Sequence, residues 1–287
     1  MDAYNPFARR ETHNRQSLAA YRVLVPLTWA LVVIVGIYYS LHKPDDVKHG
    51  HRIPKQANKH ITAFSQSTVV TGIYWILLLL SQLSYVWHLF SKDAALVNAA
   101  ANVASHFILN NLFVFAWVLL WVRNHFWGAE IILIAHFINQ KITYWRHPGL
   151  PAFVHLPAVA GPYAWTLTAL FWNGAVAVHS NSLPARIVAN VFIWVIFVIG
   201  AGHILHRQDY LLGYCFSFLF LSLAVKQIAI KVIALQWIFA FAIFAAFLVL
   251  SLYISSTKYY HRDSLLRRIA EPESTDRERQ PLLNEAA

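Results

Sequence analysis

The sequence predicts an all-α, polytopic transmembrane helical bundle, and three observations support this fold class. Of the 287 residues, 58% are hydrophobic and 13% are charged, whereas soluble domains carry about 25% charged residues. The hydrophobic residues occur in long blocks, which the core of a soluble domain does not require. Several blocks reach the roughly 20 residues that a helix needs to cross the hydrocarbon core of a bilayer. We therefore expect an integral, multi-pass membrane protein.

Eight apolar segments are predicted to span the membrane. In chain order they are residues 23–41, 69–90, 96–122, 129–145, 156–178, 187–205, 210–225 and 232–254. The fourth is short and is bounded by Glu130 and Lys141. The seventh is also short and is followed by Lys226 and Lys231. If the seventh were a re-entrant piece, the chain would have seven spans, and this alternative stays open.

The predicted bundle, residues 18–258, lies between two polar tails, residues 1–17 and 259–287. With eight spans both tails fall on one side, and more of the 23 Lys and Arg residues lie on that side than on the other. Positive residues favour the cytosol, so we expect a polar cytosolic N-terminal tail and a disordered cytosolic C-terminal tail. We expect an endomembrane, vacuolar or plasma membrane location rather than a mitochondrial one, and no cleaved signal peptide.

One apolar segment carries a ridge of polar side chains. In "NAAANVASHFILNN", the residues Asn98, Asn102, His106 and Asn110 are four apart, which places them along one side of a helix. Polar groups in hydrocarbon cost free energy unless they find partners. The ridge therefore either bonds neighbouring helices together or marks a binding site. His106 alone is better explained as a hydrogen-bonded buried histidine than as a metal ligand.

Short motifs in the second, third and fifth predicted spans resemble the tryptophan-rich sensory protein (TspO, translocator protein) family. These are Gly72 and Trp75, Leu109 and Asn110, and Pro162, Tyr163, Trp165 and Asn173. Phe113 stands where that family has Trp, and the step from Tyr163 to Trp165 is one residue shorter. The resemblance implies an internal pocket for a tetrapyrrole, a sterol or a similar flat ligand. Its implied lining residues are Trp75, Asn110, Tyr163, Trp165 and Asn173.

The chain looks more like a longer, eight-span relative of that family, in which an Asp is followed by Lys-Gln, here Asp209 and Lys226-Gln227. The stretches "NPFARRETH", "HFILNN" and "VIALQWIFAF" also resemble a fungal group of uncharacterised multi-span membrane proteins with a domain of unknown function. That second resemblance implies no activity.

Both tails contain short sorting motifs. Asn5-Pro6-Phe7 is a turn that endocytic adaptor domains bind, and Glu278, Leu282 and Leu283 fit the acidic dileucine pattern. Both motifs require a cytosolic tail, and a solvated tail without a partner is the alternative.

Three functions remain open from the sequence. The first is binding, transport or sensing of a flat hydrophobic molecule; the second is a membrane scaffold or assembly factor. The third, a membrane enzyme using His106, Glu130 or His155, lacks a nucleophile–base spacing. One cysteine, Cys215, excludes an intrachain disulfide, and the histidine-rich residues 42–67 are better explained as a solvated basic loop than as a metal site. We predict no catalytic residue, metal, cofactor or nucleic-acid partner, expect membrane lipids as partners, and leave the oligomeric state open.

Overall fold

A computed structural model describes residues 5–180, 182–230 and 235–270, with residues 261–270 described by their backbone only. These residues are helical, and no strand occurs within the described ranges. The helices are α1 (Arg15–Leu41), α2 (Ile53–Lys59), α3 (Thr68–His88), α4 (Ala94–Val122), α5 (Phe126–Arg146), α6 (Ala152–His155), a π-helical turn (Leu156–Ala160), α7 (Gly161–Val178), α8 (Leu183–Arg207), α9 (Tyr210–Ile230) and α10 (Gln236–Ala270).

The long helices run alternately up and down, and their connections are short except for residues 42–67 between α1 and α3. The terminal end of the bundle holds the start of α1 and the far part of α10, and the loop end holds residues 42–67. α4 packs between α1 and α5, α5 packs on α7, and α9 packs on α10 and α7. α10 continues to Ala270, beyond residue 259 where the sequence predicts a disordered tail. Glu278, Leu282 and Leu283 lie outside the described residues.

Six helices in the described ranges are long and apolar enough to cross a membrane: α1, α3, α4, α8, α9 and the first part of α10. The predicted seventh span is among them, because α9 is continuous over 21 residues. The predicted fourth and fifth spans correspond to α5 and to the helix formed by α6, the π turn and α7, and these are not among the six. The count of eight spans is therefore not confirmed.

The outer surface of the bundle is apolar. Stripes of exposed large side chains run along several helices, including Val23, Leu27, Ile34 and Ile37 on α1, Ile73, Leu77 and Leu80 on α3, and Ile187, Val191 and Val198 on α8. Apolar areas of this extent are rare on soluble monomers. They match the surface that faces lipid chains in an integral membrane protein.

Residues 42–67 fold into a packed cap over the loop end, although the sequence favours a solvated loop. Gln56 is fully buried, and its Nε2 donates to the C=O of Trp121 at 3.0 Å. Gln227 Nε2 donates to the C=O of Thr62 (3.0 Å), and Gln236 Nε2 donates to that of Ala63 (3.1 Å). The side-chain amides near the end of α9 and at the start of α10 therefore bind the backbone of the cap.

An ion pair ties the start of the cap to the end of α4. Arg123 Nε donates to Asp46 Oδ2 at 2.8 Å, and Arg123 also donates to the Tyr39 hydroxyl. The hydrogen bond from Arg123 holds the pKa of Asp46 below its ordinary value. Because the Asp46 carboxylate is exposed to solvent, this pair contributes little to stability.

A π-helical turn joins α6 to α7 at Pro157. Pro157 has no N–H and crowds the preceding turn, and the N–H of Gly161 donates to the C=O of Leu156, five residues earlier. Gln82 Nε2 of α3 donates to the C=O of Pro157 at 3.3 Å, and the Tyr74 hydroxyl donates to that of Gly161 at 2.8 Å. These bonds satisfy carbonyls that the wider turn releases and fix α3 against this helix.

Glycine permits close packing between α8 and its neighbours. A Cβ at Gly200 would lie 2.8 Å from Phe247 Cζ of α10 and 3.2 Å from Phe216 Cε2 of α9. The rings of Phe216 and Phe247 stack with centroids 5.2 Å apart. Any side chain at position 200 would therefore have to displace this pair.

Candidate functional site

The tryptophans predicted to line a ligand pocket pack against one another. The ring centroids of Trp75 and Trp165 are 5.1 Å apart, and Trp165 lies 5.8 Å from Trp117. Trp117 stacks on Trp121 (5.5 Å), which contacts Trp172 (4.9 Å). Indole rings therefore fill the space where the resemblance implies a flat ligand.

The other three predicted lining residues are engaged with different helices. Asn110 bonds to α5, and the Tyr163 hydroxyl lies 3.2 Å from His203 Nε2 of α8. Asn173 Nδ2 donates to Glu130 Oε2 at 2.7 Å and to the C=O of Phe126 at 3.0 Å. The structure thus brings Trp75 and Trp165 together and places Asn110, Tyr163 and Asn173 in separate polar contacts.

Asn110 is the centre of a buried network between α4 and α5. Its Oδ1 accepts from His136 Nε2 (2.5 Å) and from Gln140 Nε2 (2.6 Å), and its Nδ2 donates to Asn111 Oδ1 (3.2 Å). Asn111 Nδ2 lies 3.4 Å from Thr28 Oγ1, which extends the network to α1. These amides bond three helices together, as the helix-bonding interpretation of the ridge predicts for Asn110.

Replacing Asn110 with leucine is expected to lower the free energy of unfolding by about 2 kcal/mol, because the two donors on α5 would be left buried without their acceptor. SDS-induced unfolding in mixed micelles, followed by tryptophan fluorescence, measures this change. Asn190→Leu is the control, since Asn190 bonds only within its own helix, to the C=O of Arg186. Equal losses in the two variants would contradict the special role of Asn110.

The remaining ridge residues have two kinds of partner. His106 Nδ1 lies 2.8 Å from Asn139 Oδ1 on α5, and Asn139 Nδ2 donates to the C=O of His106 at 3.1 Å. Asn98 and Asn102 instead bond to the backbone of Arg10, which precedes α1. Every ridge residue therefore has a partner within the protein.

At the terminal end, His155 pairs with Asp209. His155 Nε2 lies 2.7 Å from Asp209 Oδ2, and Asp209 Oδ1 accepts the N–H of Leu212 at 3.1 Å, which caps α9. Burial opposes ionisation of Asp209, but the bonds from His155 and Leu212 outweigh it and hold the pKa of this carboxyl below its ordinary value. A carboxylate can orient an imidazole for acid–base chemistry, but here it also holds two helices together.

A cavity of about 530 Å³ separates the end of α7 from the start of α8 at the loop end. Most of its lining is apolar, including Phe171, Ala189 and Phe192, with Ile61 and Phe64 from the cap. The polar lining groups include Glu130 of α5, Arg186 of α8 and His179. Within the described residues no group of three or more His, Cys, Asp or Glu side chains is arranged to hold a metal.

Asn173 connects the predicted site to this cavity. By donating to Glu130 Oε2, it fixes one carboxylate oxygen, and the other lies 3.2 Å from where a Cβ at Gly174 would be. The absence of a side chain at Gly174 therefore leaves room for the carboxylate beside α7. The fold and this arrangement define an integral, multi-pass helical membrane protein with a mostly apolar cavity, whose polar lining groups include a carboxylate held by Asn173.

Comparisons with known proteins show that this membrane protein is similar to fungal sequences. Residues 186–283 match a family described as fungal protein of unknown function (DUF1774). An uncharacterised protein of Schizosaccharomyces pombe is 26% identical over 191 residues, which cover 65% of this chain and 71% of that protein. Both findings support an uncharacterised fungal family. No solved structure matches the chain, and the resemblance to the tryptophan-rich sensory proteins is not shown.

Proposed function

We propose that this protein is an eight-span membrane protein that binds a sterol-like molecule, apolar with one hydroxyl, in the cavity between α7 and α8. The observation that carries the proposal is the Glu130 carboxylate, fixed by Asn173, in the wall of a mostly apolar cavity. Ligand sites commonly combine apolar walls with a few placed polar groups, in volumes of about 300–1,000 Å³. A carboxylate accepts a hydrogen bond from a hydroxyl, and the apolar walls contact the rest of the ligand.

The two sides of α5 support its assignment as a span. Ile131, Ile134, Ile138 and Ile142 form an exposed stripe, while the buried face carries His136, Asn139 and Gln140. The polar inward face lowers the hydropathy of α5, yet the isoleucine stripe would be unfavourable in water. A helix of this kind fits a membrane bundle whose polar residues face other helices.

The packing of the tryptophans favours a sterol over a tetrapyrrole. A tetrapyrrole requires a broad slot between aromatic faces, and the rings of Trp75, Trp165 and Trp117 contact each other instead. Most of the cavity lining consists of aliphatic side chains and phenylalanines, which suit the ring system of a sterol.

Filling the cavity is expected to weaken sterol binding. Purified protein in nanodiscs is titrated with the fluorescent sterol dehydroergosterol, and binding is read by energy transfer from tryptophan. Ala189→Phe places a ring in the cavity and should weaken binding at least about tenfold, a loss of about 1.4 kcal/mol. Val198→Phe, on the exposed face of the same helix, is the control. No saturable transfer in the wild type, or equal affinity in the two variants, would refute the site.

Substitutions of Glu130 test the chemistry of recognition. Glu130→Gln keeps an oxygen acceptor and should change the sterol affinity by less than about threefold, whereas Glu130→Leu removes it and should weaken binding about tenfold. A loss with Gln equal to that with Leu would instead indicate a cationic ligand.

A scaffold without a ligand is the second candidate. It is favoured by the internal pairing of the ridge residues, in which Asn98, Asn102, His106 and Asn110 all bond within the chain. Absence of sterol binding together with copurification of a stoichiometric protein partner would favour this candidate.

We further propose that both termini are cytosolic and that the protein resides in an endomembrane, vacuolar or plasma membrane. The support is the bias of Lys and Arg towards the side of the tails, which the positive-inside rule assigns to the cytosol. In sealed microsomes whose cytosolic face points outward, we expect added protease to digest a C-terminal tag; a protected tag would reverse the orientation.

A further inference from the structure

Residues 5–14, which precede α1, lie along the first half of α4. Asn102 binds the Arg10 backbone in both directions: its Oδ1 accepts the Arg10 N–H at 2.7 Å, and its Nδ2 donates to the Arg10 C=O at 3.0 Å. Asn98 Nδ2 donates to the same C=O at 3.3 Å, and His13 Nε2 lies 3.3 Å from Asn102 Oδ1. An amide that meets both backbone groups of one residue fixes the position of that segment.

The length of α4 explains why this docking surface is polar. Its 29 residues extend about 43 Å, whereas the hydrocarbon core is about 30 Å thick. The first turns of α4 can therefore lie outside the hydrocarbon at the terminal end. Asn98 and Asn102 lie in these turns, so the Arg10 backbone that they bind lies at the terminal end of the bundle, while Phe7 reaches further along α4 to His106.

The docked segment includes the turn Asn5-Pro6-Phe7. Asn5 Oδ1 accepts the N–H of Phe7 at 2.9 Å, and the Asn5 C=O accepts the N–H of Ala8 at 3.3 Å. This is the side-chain-supported turn that asparagine favours. Phe7 is half-buried, and its ring centroid lies 4.9 Å from that of His106. The turn is formed, but its aromatic side chain packs against His106 within the protein.

We propose that residues 5–14 dock reversibly on the surface of α4 that carries Asn98 and Asn102. Their release exposes Asn5-Pro6-Phe7 to a sorting-adaptor domain. An adaptor that takes this motif inserts the Phe7 ring into its own apolar pocket, and the ring cannot contact His106 at the same time. Docking and adaptor binding are therefore mutually exclusive. In the cell this proposal rests on the proposed cytosolic N-terminus, and it is independent of the sterol site.

The single cysteine makes docking measurable. Cys215 is buried, so a cysteine introduced as Ala8→Cys reports on the segment through its rate of reaction with a maleimide. Asn98→Ala with Asn102→Ala should accelerate labelling by at least about tenfold, because about three hydrogen bonds are lost. Arg10→Pro, which removes the N–H that Asn102 accepts and leaves α4 intact, should also accelerate it. Asn190→Ala should leave the rate unchanged.

Adaptor binding is then measured on the same full-length proteins in nanodiscs. The probe is a purified endocytic adaptor domain that binds a free peptide of residues 1–14. We expect about tenfold tighter binding to the double variant and to Arg10→Pro than to the wild type, and loss of binding when Phe7→Ala is added. Unchanged labelling in both released variants refutes the docking. Adaptor binding that is equal in released and wild-type protein, or absent from both, refutes the masking of the motif.

Discussion

Replacing Gly200 with leucine is expected to lower the free energy of unfolding by about 3 kcal/mol or more, because the new side chain has no space between α8, α9 and α10. Even a Cβ at this position would lie 2.8 Å from Phe247 Cζ. The stacked rings of Phe216 and Phe247 would have to separate, and both lose packing when they move. SDS-induced unfolding in mixed micelles measures the loss.

Gly202, two residues further along α8, provides the matched control. A Cβ there has no other heavy atom within 4 Å, and the residue is exposed. Gly202→Leu should be neutral or stabilising by up to about 1 kcal/mol, since leucine has the higher helix propensity. If the two variants lost the same stability, close packing at Gly200 could not explain the loss.

Replacing Asp209 with alanine is expected to cost about 3 kcal/mol of unfolding free energy. The change removes the side-chain hydrogen bond that caps the N-terminus of α9. It also leaves the His155 ring without its buried carboxylate partner, and breaking such a pair on one side is strongly destabilising. Asp93→Ala is the control, because Asp93 caps α4 through the N–H groups of Ala95 and Leu96 while remaining exposed. Loss of a cap alone costs about 1 kcal/mol.

The difference between wild type and Asp209→Ala should depend on pH. The pKa of Asp209 is lowered in the folded protein, so the unfolded chain takes up a proton first as the pH falls. The stabilisation is complete above the ordinary pKa of Asp, about 3.9, and is lost as the pH falls through the lower native value. A stability difference that does not shrink below about pH 4 would contradict an ionised Asp209 in the folded protein.

The periodicity and length of the apolar segments were enough to predict the membrane fold class, because both are local properties. The membrane assignment of α5 could not be settled in the same way, since its mean hydropathy combines an isoleucine stripe with a buried polar face. Only the packed structure separates the side chains Ile134 and Ile138 from His136 and Gln140. A hydropathy average cannot distinguish such a helix from one at the surface of a soluble protein.

The sequence also predicted that the ridge residues would have partners, but not which ones. The polar contacts join residues far apart in the chain, such as Asn173 with Glu130 and His155 with Asp209, and no spacing rule connects them. The cavity is less predictable still. Its walls are ordinary apolar side chains, and it exists because α7 and α8 separate at one end.

The cap over the loop end constrains the order in which this protein folds during its synthesis. Its residues are among the first to be synthesised after α1, yet their backbone carbonyls are bound by Gln227 and Gln236, which leave the ribosome much later. The first large loop to emerge therefore cannot be completed until the final hairpin, α9 and α10, has been inserted. A chain truncated before α9 would display an unfinished cap, which is a surface that chaperones and degradation factors can recognise as incomplete assembly.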